Sequence, residues 1–448
     1  MQTFTLETIV KEVFLRLKNP ISIKSTMNCL EKSNLSLKLQ YPYMWGEMSL
    51  SDGYPGILLF ISTLAKIGKG FELSEEIEHV YILKIKDLLE SNGYYSLSLF
   101  NGLAGICFSI HYASHGGKRY QRMLKTLHTL LISQVNKVYL DPIKRKVSSI
   151  AHSSSFYDVI QGICGIGRYA LEHLHQPHFQ QLAEDINKTL IELCLPITID
   201  SHVVPGWYLP ATDVLNKEHQ SKYPKGNFNL GLSHGVAGIL AYLSIAYQKG
   251  VVVDKQKDTI KEISDWIKKK SFKKNSLIRW PTTVSWEEEV DKKQPSYFEN
   301  YQDSWCYGVP GISRSLLLAG KVLKDENLKD FAITAFRGVF SRTQDERNLP
   351  GPAICHGIAG LLLLTNEMSR EDGCSDLNYF VNMLRKKLLT TYNPDAPFGF
   401  SDVDFNQNNK HVLVNKPGLL EGSAGILLTL LSVSNTSLKW HLPLMISA

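Results

Sequence analysis

The chain has 448 residues, 44% of them hydrophobic and 21% charged, a balance that excludes a disordered chain and suits a soluble globular protein with a large core. Its formal net charge is +6, with lysines and arginines spread along the sequence rather than gathered into an arm, so no nucleic-acid partner is expected. Seven cysteines, odd in number and scattered, argue against a disulfide framework and leave thiols or metal ligands as their roles.

The first segment, MQTFTLETIVKEVFLRLKNP, is an amphipathic helical pattern carrying Glu7, Glu12 and Arg16. It lacks the uninterrupted apolar core of a signal peptide. The richest late apolar run, 424–433, is shorter than the ~20 residues of a membrane span. A cytoplasmic protein is expected.

Self-similarity dominates the rest of the chain. A Gly-x-x-Gly followed by a mostly aliphatic run occurs seven times, with first glycines at 53, 102, 162, 235, 308, 357 and 422. Successive copies lie 49 to 73 residues apart, room for two ordinary helices with connections. Between the motifs, as in 75–93 and 180–195, apolar residues recur at three- and four-residue steps. Each repeat therefore reads as an amphipathic helix and a more apolar helix opened by the double-glycine turn. Seven such hairpins close a ring without capping repeats, and the predicted fold is an all-α, α/α toroid of about fourteen helices in one domain over 1–448. The glycines are expected to permit positive φ and close crowding of the turns.

Two stretches interrupt this rhythm. Residues 196–230 and 272–304 are rich in Pro, Trp, Tyr and polar side chains, and short strands or ordered loops are expected there, the first as a small β-containing insertion and the second as a long irregular connection. The basic run 265–275 reads as a solvated helix end. The three histidines of HLHQPHF (173–179) do not share one helical face and read as a surface helix end. DVDFNQNNKHVL (402–413) begins like a calcium loop but has Gln407 where the turn glycine belongs and Leu413 where the bidentate glutamate belongs.

When the repeats are superposed, the residue before each first glycine is Asp52, Asn101, Gln161, His234, Tyr307, His356 or Glu421. All seven are polar, which packing alone does not require, so these positions are expected to face a wet cavity. One step earlier, Cys306 and Cys355 occupy the same place in consecutive repeats, with His356 beside the second. Two thiolates and an imidazole are a favoured zinc set, and three protein ligands leave a fourth position open, as in catalytic sites. A buried cysteine is more often a small apolar packing residue. The repeat register, rather than the cysteines alone, therefore carries the metal reading. Cys29, Cys107, Cys164, Cys194 and Cys374 have no such partner and read as core or surface thiols.

The motifs WCYGVPG (305–311), ICHGIAG (354–360) and LSHGVAG (232–238), set on seven glycine repeats, resemble the lanthionine synthetase C-like family, the lanthipeptide cyclases, over essentially the whole chain. The resemblance implies an α/α toroid with one catalytic zinc held by Cys306, Cys355 and His356. It also implies His234, Asp158 and Tyr307 as active-site residues. The activity it implies is the addition of peptide cysteine thiolates to dehydroalanine or dehydrobutyrine, closing thioether rings in a dehydrated precursor peptide with its leader. A dehydratase and an export transporter, associated at the membrane, are the implied partners. The chain departs from the family at Gln302, which aligns with an active-site arginine, and Arg279 is the residue considered for that role. With no dehydratase-sized region in this sequence, a free-standing cyclase is expected.

Three other readings stay open on the sequence. One is a zinc-containing peptide- or glutathione-binding scaffold of the same family without cyclase activity. Another is a zinc prenyltransferase-like enzyme. The third is an α/α glycosidase using Asp52 and Glu421 as its paired acids.

Overall fold

The computed structural model describes every residue except 1–3, 41–42, 69, 72, 142–151, 214–216, 293–300 and 436. Part of each interrupting stretch, 214–216 and 293–300, thus lies outside the described residues. The chain divides into two compact units, one of residues 1–128 and 349–440, the other of residues 129–348 and 441–448.

In the first unit, the N-terminal pattern forms helices Leu6–Leu17 and Pro20–Leu37. Asn19 starts the second by accepting from the Ile21 amide at 2.9 Å, with Pro20 at the first helical position where its missing N–H costs nothing. Four of the double-glycine motifs open helices here: Tyr54–Ile67, Leu103–Ala113, Ile358–Met368 and Ser423–Ser434. The first of these is buried without interruption from Tyr54 to Leu64, as a helix apolar on all sides must be. It packs against Leu103–Ala113 on one side and Ser423–Ser434 on the other, and the latter packs against Ile358–Met368. Ser74–Asn92 and Asn378–Leu389 cover them from outside, each burying a single face.

The second unit repeats the scheme. Its glycine-opened helices are Ile163–Ala170, Val236–Gln248 and Val309–Leu323, with the middle one packed on both others. Pro177–Cys194, Gln256–Lys269 and Glu326–Gly338 are their amphipathic partners. In Gln256–Lys269 the stripe Ile260, Ile263 and Ile267 is fully buried, each side chain contributing about 1.5–3 kcal/mol of apolar burial.

The repeat register is visible as hydrogen bonding between neighbouring turns. In the first unit the carbonyl of Phe100 accepts from the Leu50 and Ser51 amides at 2.7 and 3.1 Å. The carbonyl of Ser51 accepts from Leu419 and Leu420 at 2.7 and 2.9 Å, and that of Leu420 from Ile354 and Cys355 at 3.0 and 2.9 Å. In the second unit Cys306 accepts from Leu232 and Ser233, and Ser233 from Val159. Every acceptor is the residue two places before a first glycine. Equivalent positions of adjacent repeats are thereby stitched together, and any slip would strand buried amides.

The glycines act differently from expectation. Of the seven first glycines only Gly308, at φ 93°, lies in the left-handed region; the others are extended. Their common requirement is space. A Cβ on Gly53 would stand 2.2 Å from the Gly46 carbonyl oxygen, and one on Gly308 would stand 1.8 Å from that of Gln302; the second glycines are as tight, with a Cβ on Gly425 at 1.8 Å from the Leu419 carbonyl oxygen.

Short antiparallel strand pairs occupy the interrupting stretches: 197–199 with 202–204, 227–229 with 283–285, and 272–274 with 277–279. The basic run is accordingly a helix end followed by a hairpin strand, with Lys273 and Lys274 exposed. In the first unit, 402–405 pairs with 411–414. His173 departs from its surface assignment: it is buried and stacks on Phe179 at 4.9 Å, because the turn before Pro177 folds it inward, while His175 and His178 remain exposed. Among the described residues, no helix is long and apolar enough to cross a membrane.

Candidate active site

All seven residues that precede the first glycines keep solvent access, while the residues on either side of each are buried except at Cys355, which is itself partly exposed. The turn geometry explains this. At every repeat but that of Ile160, the residue before it is tied down through its backbone to a neighbouring repeat, and the glycine after it begins a buried helix, so the intervening side chain is directed outward from the turn.

In the first unit three such donors converge. A sulfur of Cys355, a ring nitrogen of His356 and a carboxylate oxygen of Glu421 all lie within 4.8 Å of one another. His356 Nδ1 is 3.8 Å from Glu421 Oε1, while its Nε2 faces Asp402 Oδ2 at 3.4 Å. The other oxygen of Glu421, Oε2, accepts from Lys416 Nζ. Lys416 is buried and also lies over the Tyr43 ring, 4.5 Å from its centroid. Burial pushes the Glu421 carboxyl up, but the charges of Lys416 and His356 outweigh it and hold the group below the usual carboxylate range. Asp52 behaves oppositely: burial, then the charge of Glu421, pushes it up to about 6.

A thiol, an imidazole and a carboxylate at this spacing form a donor set that fits zinc. No ion is needed to account for the other cysteines. Cys107, Cys164, Cys194 and Cys374 are buried and Cys29 is exposed, and burial pushes the Cys107, Cys164 and Cys194 thiols up, away from the reactive thiolate.

The second unit holds Asp158, His234, Cys306 and Tyr307. Asp158 uses both oxygens. Oδ1 accepts from the backbone amides of Gln161 and Gly162 at 2.5 and 2.9 Å, and Oδ2 meets His234 Nδ1 at 2.6 Å. The turn-capping role and the histidine contact therefore coexist in one carboxylate. Burial pulls the His234 pKa down, but the hydrogen bond and charge of Asp158, helped by Cys306, more than offset it and leave His234 above its ordinary value. His234 keeps 37% of its side chain exposed while Asp158 keeps 1%, so the histidine is reachable and the aspartate is not.

Tyr307 lies against Gly231, where a Cβ would stand 2.5 Å from its ring. Its oxygen accepts from Asn229 Nδ2 at 3.0 Å, and Asn229 Oδ1 accepts from the Gly231 amide at 2.8 Å, which fixes which way the amide points. Cys306 is 5% exposed, with Ser304 Oγ 3.3 Å from its sulfur. Arg279 sits over the ring of Tyr301, the neighbour of Gln302, at 4.5 Å, and reaches Glu346 at 3.4 Å. Beside it, Arg342 pairs with the fully buried Asp303 at 2.6 Å.

Residues 44–445 match the family described as lanthionine synthetase C-like protein. The chain belongs to the lanthionine synthetase C-like family. Among its relatives is the nisin biosynthesis protein NisC of Lactococcus lactis subsp. lactis, 26% identical over 394 residues that span 86% of this chain and 85% of that protein. The solved structure of a nisin cyclase superposes with a TM-score of 0.76 at 23% identity, covering 95% of this chain and 97% of that one. That likeness shows the fold, so the α/α toroidal architecture expected from the repeats holds for this member of the family.

The sequence points to Cys306, Cys355, His356, Asp158, His234 and Tyr307 but gives no sign of Asp402, Lys416 and Asn229 as supports. Glu421 was visible in the superposed repeats as the ring residue following the His356 repeat. Asp402 and Asn229 lie on short strands outside the repeat, where no periodic signal marks them.

Proposed function

We propose that this protein is a zinc-dependent lanthipeptide cyclase that closes (methyl)lanthionine rings in a dehydrated precursor peptide. The observation that carries this reading is the convergence of Cys355, His356 and Glu421 in a chain of the lanthionine synthetase C-like family. Cys306, which stands at the repeat position equivalent to Cys355, is proposed with Cys355 and His356 as the zinc ligands. Support for that set comes from the motif match and the repeat register. Zinc, when bound, favours the thiolate of a cysteine that reaches it, against an ordinary pKa of about 8.5.

In the reaction, the sulfur of a peptide cysteine adds to Cβ of a dehydroalanine or dehydrobutyrine. One S–C bond forms, the Cα–Cβ double bond becomes single, the thiol proton leaves sulfur, and a proton is delivered to Cα, so mass is unchanged. The thiol proton passes to solvent, and Glu421, kept ionised by Lys416 at its Oε2, contributes the negative charge that favours its departure. His234, kept protonated to higher pH by Asp158, is the donor to Cα, as an imidazole near neutral pH can be. Tyr307, anchored by Asn229, is the proposed hydrogen-bond donor to the developing enolate oxygen. The dehydro residues must come from a dehydrating enzyme that acts earlier on the same peptide, and a leader held on this protein would raise the peptide's effective concentration.

Metal analysis of purified protein tests this reading. About one zinc per chain is expected, with Cys306→Ala and Cys355→Ala each losing metal and ring formation together. Full cyclase activity in either metal-depleted variant would refute it.

A further inference from the structure

Asp402 begins the strand Asp402–Phe405 and is 3% exposed. Its Oδ1 is buried and accepts no hydrogen bond among the described residues. Its Oδ2 faces His356 Nε2 at 3.4 Å. The nearby cation, Lys416, makes its close ion pairs with Glu421 and with Asp404, the latter at 3.8 Å, and reaches Asp402 only through its field. A buried carboxylate with so few partners is costly unless a donor is supplied, and the donor it faces is the imidazole.

The place for this carboxylate is carved by a second residue. Gly351 lies against it so closely that a Cβ there would stand 1.9 Å from Asp402 Oδ1. Gly351 belongs to the same turn as the Cys355–His356 pair, and its carbonyl accepts from the Ile358 amide at 3.0 Å. The strand and the turn are thus fitted to each other around one carboxylate.

His356 therefore presents its two nitrogens to two surroundings. Nδ1 is on the side of Glu421, which with the Cys355 sulfur lies within 4.8 Å of a ring nitrogen of His356, and Nε2 is on the side of Asp402. An imidazole that ligates through one nitrogen carries its hydrogen on the other, and a carboxylate there fixes both the tautomer and the ring plane.

We propose that Asp402 is the positioning residue of the metal centre: it accepts the Nε2–H of His356 and so commits Nδ1 to the metal, with Gly351 providing the space that lets it do so. The proposal rests on the zinc reading above. Asp402 touches neither substrate nor reacting atoms in this role.

Zinc affinity of the full chain, measured by competition with a chromophoric chelator, is the test, together with the tautomer of His356 read from its ring-nitrogen shifts in the zinc-loaded protein. Asp402→Ala is expected to weaken zinc on the order of 10- to 100-fold, the range over which such carboxylates act, and to lose the Nε2–H signature. Asp402→Asn keeps an acceptor oxygen and is expected to recover part of the affinity. Gly351→Ala leaves Asp402 in place but displaces its carboxylate, and is expected to weaken zinc in the same direction; with Asp402→Asn it decides the matter if Asp402→Ala does not fold. A wild-type chain that takes up no zinc would remove the zinc reading itself. A wild-type chain that binds zinc, with Asp402→Asn and Gly351→Ala binding within about twofold of it and His356 unchanged in tautomer, would overturn the role of Asp402 alone.

Discussion

Asp158 Oδ2 lies 2.6 Å from His234 Nδ1 while its other oxygen caps the turn that opens the next helix. The histidine is thereby fixed to the backbone of a neighbouring repeat through a single buried carboxylate. In wild-type protein its pKa should stand above the ordinary ~6.5, and in Asp158→Asn it should fall, since burial then acts with little opposition. Histidine NMR titration reads this directly. Because the folded value is raised, the stability this protonation contributes is complete below the unfolded pKa and is lost as pH rises through the folded one. Cyclase activity of His234→Ala should fall by about 10²- to 10⁴-fold, the usual scale of a positioned proton donor, with zinc content unchanged.

The Lys416–Glu421 pair makes a different prediction. Lys416 keeps 4% of its side chain exposed and Glu421 27%, so Lys416→Met should leave a poorly solvated carboxylate and cost toward the lower end of about 3–5 kcal/mol in denaturant unfolding. The double variant Lys416→Met, Glu421→Gln should regain much of that loss. Glu421 is held below its ordinary pKa, so its contribution is present above the unfolded carboxylate value and disappears as pH falls through the folded one. A cost for Lys416→Met that the double variant does not relieve would contradict the pairing.

Gly425→Ala tests the reason for the second glycine of the motif. The new methyl would meet the Leu419 carbonyl at 1.8 Å, and backbone cannot yield as a side chain does. A loss of at least about 1–3 kcal/mol is expected, in the range of overpacked cores. An unchanged melting temperature would show that the turns have slack.

Much of this arrangement was legible because the repeat is local. Gly-x-x-Gly, the apolar run behind it and the polar residue before it are contiguous, so seven copies could be superposed without knowing any tertiary contact. The positive φ expected of the glycines proved true only at Gly308, since close approach between chains cannot be read from one segment. The burial of His173 depends on Tyr169 and Phe179 closing over it, a packing that no local pattern marks. Asp402 and Asn229 stayed hidden for a related reason. Each lies on a strand of four residues or fewer, and its partner, His356 or Tyr307, is distant in sequence.

Ring formation itself is the most direct measurement. Zinc-loaded protein would be incubated with a leader-bearing peptide containing one dehydroalanine and one cysteine, and thiol content and peptide mass followed together. The expected result is loss of the thiol at constant mass, faster than in a protein-free control, abolished by chelator and restored by zinc. A thiol that disappears no faster than in the control, with zinc bound to the protein, would contradict a cyclase function.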